Sequence, residues 1–426
     1  MKKNFKGTFN LFSFIIIFIL LFFNYSLYYN PTFIENENGI YNEELYYQLQ
    51  FLKEELHNKQ AGKKMQSVFP EGFMFINSLY VLSWINFLEE IKPNSKLYKE
   101  GTKEINWTTK QIYSKEAKSI FDNSLPLEYG AFYSAWSNYT LGKKILLEHK
   151  KGISSDSNQI NLFKEKCNQI SLATQNSVSP YLETYRNQTW AADMVVCIAS
   201  LNLYKEIFEN KQTIDIKNKI AEYDKITKKW IKKVKTRLDS ITGLIPHSCE
   251  ESQGFTDETA RGSSQSLTLN FLPKIDSVFA KSQYKIYKEL FVEEHFGLNG
   301  IREYPKNTEG DGDIDSGLIV LGIGGASSIV GQRAAAQNND WLLYHELRNC
   351  IETFGATYTY KRKKKYIFGQ LVMVDAFAVW SNSVEHSDSY DKMNKNWRKK
   401  VHIFSILIIV VLFFLNYPKL ISHFRD

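Results

Sequence analysis

From Asn42 to Trp380 the chain alternates between two kinds of helical sequence, and that alternation restricts the fold more than any single motif. One kind is small and apolar on most faces: EGFMFINSLYVLSW from Glu71, AADMVVCIASL from Ala191 and GIGGASSIVGQRAAA from Gly322. The other is amphipathic and rich in lysine: NKIAEYDKITKKWIKKVKTRL from Asn218 and SQYKIYKELFVEE from Ser282. A helix apolar all round is buried, whereas one with a single apolar stripe lies on the outside. Apolar residues recur at three- and four-residue spacing in Asn42–Lys59, Gly72–Leu88, Gly130–Leu147, Asn161–Thr174, Trp190–Phe208, Ile214–Val234, Ser263–Leu272, Ser277–Glu294, Ser316–Gln337, Trp341–Thr353 and Leu371–Trp380, and more weakly in Thr109–Phe121. About twelve helices alternating between inner and outer imply six helical hairpins closed into a ring, an all-α (α/α)6 barrel over residues 40–385. A less regular helical solenoid is the alternative. One β-hairpin is expected, Ala356–Tyr360 with Tyr366–Gln370, and the basic run Lys361–Lys365 at its tip reads as a solvated loop.

Two apolar runs stand outside the alternation. Leu11–Tyr29 follows Lys2, Lys3 and Lys6, and Val401–Tyr417 lies near the C-terminus. Each is close to the roughly 17–25 residues that cross a bilayer. The first ends on bulky tyrosines rather than a small-x-small cleavage pattern, so it reads as an uncleaved anchor, with a cleaved signal peptide as the alternative. Lysines before it and Glu35, Glu37, Glu43 and Glu44 after it keep the N-terminus cytoplasmic, while Arg398, Lys399 and Lys400 ahead of the second run argue the other way. The first helix usually dominates. The expectation is therefore transmembrane helices at 11–29 and 401–417 in the cytoplasmic membrane of a bacterium, with the barrel on the extracytoplasmic side. Membrane lipid is an expected partner. Nucleic acid is not, because a net charge of +7 spread over 426 residues is mild. Cys167, Cys197, Cys249 and Cys350 show no metal-binding spacing, and Cys197 reads as core.

Polar residues gather where inner helices begin. Glu71 precedes the first, Glu128 and Tyr129 the second, and Trp190 with Asp193 opens the third. Arg261, Ser263 and Ser264 open the fourth, then Asp313, Asp315 and Ser316 the fifth. In a ring of hairpins these starts converge on one mouth, where helix N-termini offer unpaired N–H groups and positive potential. Capping explains any one of these residues. It does not explain five polar starts together with Arg261, Arg302 and Glu303, whereas a shared polar cavity does. Glu303 beside Arg302 reads equally as an ion pair holding the loop. His247, which titrates near neutrality when unperturbed, is an acid–base candidate or a solvated loop histidine.

Acid–base work near neutral pH needs one carboxyl kept protonated and another kept ionised. Asp193, Glu183, Asp313 and Asp315 are the candidates for that pair. Tyr129, Tyr133, Trp190 and Tyr304 are aromatic candidates for stacking on a sugar ring. Gly322–Gly325 follows no strand and lacks the Lys-Ser/Thr of a phosphate loop. Asp311, Asp313 and Asp315 alternate as oxygen ligands do, but the run lacks the distal glutamate of an EF-hand. No metal or cofactor is expected.

Several segments resemble linalool dehydratase/isomerase and its membrane-anchored bacterial relatives. They are LEYGAFYSAWSNYTLG from Leu127, SPYLETYRNQTWAADMVVCIASLNLY from Ser179, ARGSSQSLTLNFLPKIDSVFAKSQYKIYKELFVEE from Ala260, IREYPKNTEGDGDIDSGLIVLGIGGASS from Ile301 and AAAQNND from Ala334. The similarity runs from about Pro126 to Asp340 and more weakly to Phe69–Gly72. It implies an (α/α)6 barrel and cofactor-free addition or removal of water at a terpene alcohol. That family's cysteine pair is missing: Leu182 stands at the first position, ahead of Glu183, and Ala191 or Ala192 near the second. Ala131 replaces its cavity histidine. The resulting expectation is a cofactor-free, lyase- or isomerase-like enzyme acting on an isoprenoid-like small molecule. The alternatives are a glycan-processing hydrolase or lyase, and a membrane-tethered binding or scaffold module without catalysis.

Overall fold

The computed structural model describes residues 2–210, 213–314, 316–386 and 396–416, with side chains from residue 10 onward. Six helices form a closed ring: α4 (Gly72–Glu90), α7 (Gly130–Lys150), α9 (Ala191–Phe208), α11 (Gly262–Ile275), α13 (Gly325–Gln337) and α15 (Val372–Asn382). Each packs on the next, and α15 returns to α4. Around them lie α2 (Glu43–Asn58) with the short α3 (Ala61–Val68), α5 (Lys96–Ile112) with the single turn α6 (Lys115–Lys118), α8 (Ser157–Asn176), α10 (Ile214–Lys235), α12 (Ser277–Phe291) and α14 (Trp341–Phe354). The molecule is thus an all-α (α/α) barrel of six hairpins.

The two helix types owe their places to their sequences. In α10 the buried residues are Tyr223, Ile226, Thr227, Trp230, Ile231 and Val234, one stripe at three- and four-residue spacing, with lysines elsewhere. In α9 nearly every side chain from Ala191 to Leu201 is buried, because hairpins flank it and the lumen lies in front. The lumen is not hollow at mid-height. Phe75, Phe132, Trp136, Phe271 and Trp380 fill it, with ring centroids 5.0 Å apart for Phe75–Trp136 and 5.8 Å for Trp136–Phe271. Such contacts are the edge-to-face and tilted packing that aromatic quadrupoles favour. The complete burial of Cys197 agrees with its reading as core.

The structure corrects several boundaries. Helix α5 begins at Lys96, and not at Thr109, because Ser95 caps it through the Tyr98 N–H. Its apolar stripe, interrupted by polar residues, gave a weak periodic signal. The fifth inner helix begins at Gly325 rather than Ser316, since Gly312, Gly317, Leu321 and Gly322 all take positive φ and break any helix there. A two-stranded hairpin, β8 (Ile319–Val320) with β9 (Ile323–Gly324), occupies the difference.

Other short strands sit at the helix ends: β1 (Phe33–Asn36) with β2 (Gly39–Asn42), the three-stranded β3 (Thr189–Trp190), β4 (Ser248–Cys249) and β5 (Thr256–Glu258), and β6 (Val292–His295) with β7 (Leu298–Ile301). The expected hairpin is shorter than foreseen, β10 (Tyr358–Tyr360) with β11 (Lys363–Lys365). Its lysines are not all solvated: Lys364 is buried and pairs with Glu352 at 2.8 Å.

Helices α1 (Lys2–Ser26) and α16 (Lys399–Asn416) pack on each other through Asn24 and Ser405 at 2.8 Å, and through Tyr28 and His402 at 2.8 Å. Among the described residues, α16 is long and apolar enough to cross a bilayer; the apolar part of α1, Asn10–Ser26, is shorter. Of the two spans expected at 11–29 and 401–417, the second contains such a helix, and Tyr417 lies outside the described residues.

Candidate functional site

The N-terminal ends of the inner helices meet at one end of the ring, where long loops enter them. Close backbone approaches bring the loops in. A Cβ on Gly262 would stand 1.8 Å from the Arg302 carbonyl oxygen, and one on Gly130 would stand 2.1 Å from that of Thr184. Only glycine lets these chains touch. Strand β3 pairs with β4, setting Trp190 opposite Ser248 and laying the His247 loop along the start of α9.

Arg261 is the centre of the mouth. Its Nε donates to Glu303 Oε1 at 2.8 Å, and Nη2 donates to Asp313 Oδ1 at 3.0 Å while Nη1 reaches Asp313 Oδ2. Glu258 Oε2 lies 4.0 Å from the same Nη1 and 3.9 Å from His247 Nε2. Glu303 is wholly buried and also accepts from Ser263 and Ser327. The layers follow from this. Arg261, His247 and Glu303 form a buried floor, while the carboxylates of Asp313 (44% exposed) and Glu258 (59% exposed) lie above it. The Tyr304 ring stands 5.5 Å from the Arg261 guanidinium.

The charges tune one another. Partial burial works against ionisation of Asp313, but hydrogen bonds from Arg261 and from the Ser316 N–H outweigh it and hold the carboxyl at about 2. His247 behaves differently from the neutral titration expected of it. Burial, then the adjacent Arg261, push it down to about 4 against the pull of Asp313, so the imidazole is neutral at physiological pH.

A second group lies across the mouth at α9 and α4. Asp193, in the first turn of α9, accepts from the Thr184 hydroxyl. Tyr185 donates to Glu71 at 2.6 Å, and Glu183 accepts from the Asn187 N–H at 2.7 Å. Trp190 and Tyr129 are half-buried there. Tyr133 points away from the mouth, its hydroxyl on the Ile112 carbonyl at 3.2 Å. Ser264 turns its hydroxyl onto the Arg261 carbonyl. Arg302 does not pair with Glu303; it donates to Glu293 at 2.6 Å and to the Tyr304 and Thr308 carbonyls, bracing the loop. Asp315 lies outside the described residues.

Capping does not account for the polar starts. Outer helices α2, α5, α8, α12 and α14 have side-chain caps at Asn42, Ser95, Asp156, Asp276 and Asp340. Among the described residues none of the six inner helices has one. Loop carbonyls take several of their first N–H groups instead: Ala131 donates to Glu183, Ala191 to His247, Gly262 to Glu303 and Gly325 to Leu318.

Two residues escaped the sequence reading. Glu258 lies three residues before Arg261 in the acidic run TDETARG, a signal masked by its loop position. Asp375 occupies the first turn of α15, buried, with Oδ1 on the Tyr366 N–H at 2.7 Å and Oδ2 without a hydrogen bond. Burial raises its carboxyl to about 8. Among the described residues, no group of three or more His, Cys, Asp or Glu is arranged to hold a metal ion. A separate cavity of about 250 Å³ lies at the opposite end of the ring, lined by Lys143, Arg333, Trp341 and Trp380 among others.

No protein family and no curated protein matches the chain. Among solved structures it is similar to the GH76A α-1,6-mannanase of Salegentibacter sp., at 12% identity over 80% of this chain and 99% of that one, TM-score 0.43. An inactive variant of that enzyme with α-1,6-mannotriose gives 11% identity, the same coverages and the same TM-score. A GH76 α-mannanase of Bacteroides thetaiotaomicron gives 10% identity over 81% and 96%, TM-score 0.44. The closed ring of helix contacts, and not these likenesses, defines the barrel. The expectation of linalool dehydratase/isomerase chemistry, with its lyase or isomerase reaction, is corrected: the similar structures are mannanases.

Proposed function

We propose that the barrel is a glycan-processing hydrolase whose acid–base pair is Asp313 and Glu258. The observation that carries this reading is that both carboxylates reach one guanidinium nitrogen, Nη1 of Arg261. That shared partner holds the two carboxylates inside the roughly 9.5 Å upper limit at which paired carboxylates cleave glycosidic bonds. Asp313, held ionised, accepts a proton from the attacking water or bonds the anomeric carbon directly. Glu258, as the acid of the pair, delivers a proton to the departing oxygen as the C–O bond breaks. Arg261, fixed from beneath by Glu303, positions Asp313, and Tyr304, Trp190 and Tyr129 supply rings on which a sugar stacks. The mannanase likeness names a first substrate class to try, α-mannosides.

The same proposal tethers the protein to a bacterial cytoplasmic membrane by α1 and α16, with the barrel outside. Lys2, Lys3 and Lys6 ahead of the first apolar run support that orientation. A binding module without catalysis is the second reading, favoured by the two-pronged hold of Arg261 on Asp313.

The test is sugar release by the full chain in nanodiscs from chromogenic glycosides and mannan oligosaccharides. Asp313→Asn and Glu258→Gln should each lower turnover by about 10²–10⁴-fold. Turnover retained in both variants rules the pair out. Saturable glycan binding without release selects the second reading.

A further inference from the structure

We infer that the mouth of the barrel faces the bilayer that α1 and α16 enter, so that its substrate is an amphiphile whose polar head reaches the site from the membrane. The substrate half rests on the hydrolase reading, and the membrane-facing half on the tethering by α1 and α16 proposed with it.

The direction of the two apolar helices carries the argument. Tyr29 lies against Arg348 in the middle of α14, while Phe23, further back along the chain, meets Phe354 at the end of α14 with ring centroids 4.9 Å apart. Tracing α1 toward its N-terminus therefore leads past the C-terminus of α14, which is the end where α15 begins and the mouth lies. Helix α16 follows the same course. It starts where Val401 touches Gly297 of the β6–β7 turn, and it runs antiparallel to α1 from His402 beside Tyr28 to Ser405 beside Asn24. Both helices leave the barrel on the mouth side.

The rim on that side is built for an apolar medium. Phe296, Leu321 and Phe368 sit in three separate mouth loops, exposed by 63%, 65% and 60%. All three hold positive φ, of 55°, 52° and 54°. Turns that need this conformation ordinarily recruit Gly, Asn or Asp, and a bulky side chain there is strained. Three such residues pointing outward in water would combine backbone strain with exposed apolar surface. Immersed in lipid they lose the second cost. Phe296 also stacks edge-on against Phe404 of α16, at 5.7 Å, making the rim continuous with the membrane helix. Between α1 and the end of α14 runs a groove of about 790 Å³ lined by Phe22, Phe23, Tyr25, Tyr28, Phe354 and Phe368, wide enough for acyl chains beside the mouth.

The experiment places a bimane label at Leu321→Cys, at Phe368→Cys and, as a control in the exposed loop after α7 at the opposite end, at Ser154→Cys. The full-length protein is reconstituted into phosphatidylethanolamine–phosphatidylglycerol vesicles containing lipid with a nitroxide on its acyl chain. The inference requires quenching at 321 and 368 at least twice that at 154. Equal quenching at all three positions, or more at 154, overturns it, and a protein partner covering the rim would give that result. A second arm compares a bilayer-embedded glycolipid with a water-soluble chromogenic glycoside in the Leu321→Glu/Phe368→Glu variant. A tenfold or greater loss confined to the glycolipid supports the amphiphile, and equal rates on both substrates overturn it. Absence of turnover on either substrate counts against the hydrolase reading alone, because quenching is read without turnover.

Discussion

Arg261 Nε donates to Glu303 Oε1 at 2.8 Å, in a place where Glu303 has no contact with solvent. The pair fixes the floor of the mouth, since Arg261 joins Glu303 below to Asp313 above.

Removing the charge beneath leaves a buried guanidinium partly uncompensated. Glu303→Leu should destabilise the fold by about 3–5 kcal/mol, the usual result of breaking a buried ion pair from one side. Guanidinium unfolding of the full chain in detergent measures it, and a change below about 1 kcal/mol would show that Asp313 suffices as counter-charge.

Asp375 gives a pH signature independent of the mouth chemistry. The unfolded chain loses this proton near 3.9, whereas the folded chain keeps it to about 8. The folded state binds the extra proton between those values, so stability falls as pH rises across the window, by at most about 1.4 kcal/mol per unit. Asp375→Asn preserves the acceptor for the Tyr366 N–H and should flatten that slope. Melting temperatures from pH 5 to 8 test the sign.

The two mouth groups shape the acid side. His247 takes a proton near 6.5 when unfolded and near 4 when folded. Its contribution to stability is therefore present above 6.5 and lost as pH falls toward 4. Asp313 adds stability that persists through that range and disappears only as pH falls from the unfolded value near 3.9 toward about 2. His247→Gln should accordingly weaken the pH dependence between 6.5 and 4 while Asp313→Asn leaves it, as unfolding titrations would record.

Trp136 has no exposure and touches Phe75, Phe271 and Trp380 in the lumen. Trp136→Ala should cost about 3–5 kcal/mol through lost contacts and the void left behind. A smaller loss would mean the surrounding rings collapse inward, which the near-ultraviolet circular dichroism of the aromatic cluster would reveal.

Much of the barrel was legible because burial on all faces writes itself into sequence. Residues 191–201 contain a single charge, Asp193, and that one marks the mouth. Helix α5 was missed because Glu104 and Thr108 are buried members of its packed face, and polar residues break a hydropathy pattern without breaking packing. The start of α13 was misplaced for the opposite reason: Leu318, Ile319, Val320 and Leu321 look helical in composition, yet positive φ at Leu321 and Gly322 turns them into a hairpin. The pairing of Arg261 with Glu303 and Asp313 spans 42 and 52 residues, distances at which adjacency in the chain says nothing. Arg302 next to Glu303 was the obvious pair by sequence, and backbone geometry sent the two side chains to different partners.

The ring stack of Phe75, Phe132, Trp136, Phe271 and Trp380 makes the barrel a cup instead of a pipe. Whatever occupies the mouth beside Asp313 is thereby walled off from the basic hollow around Arg333 at the far end.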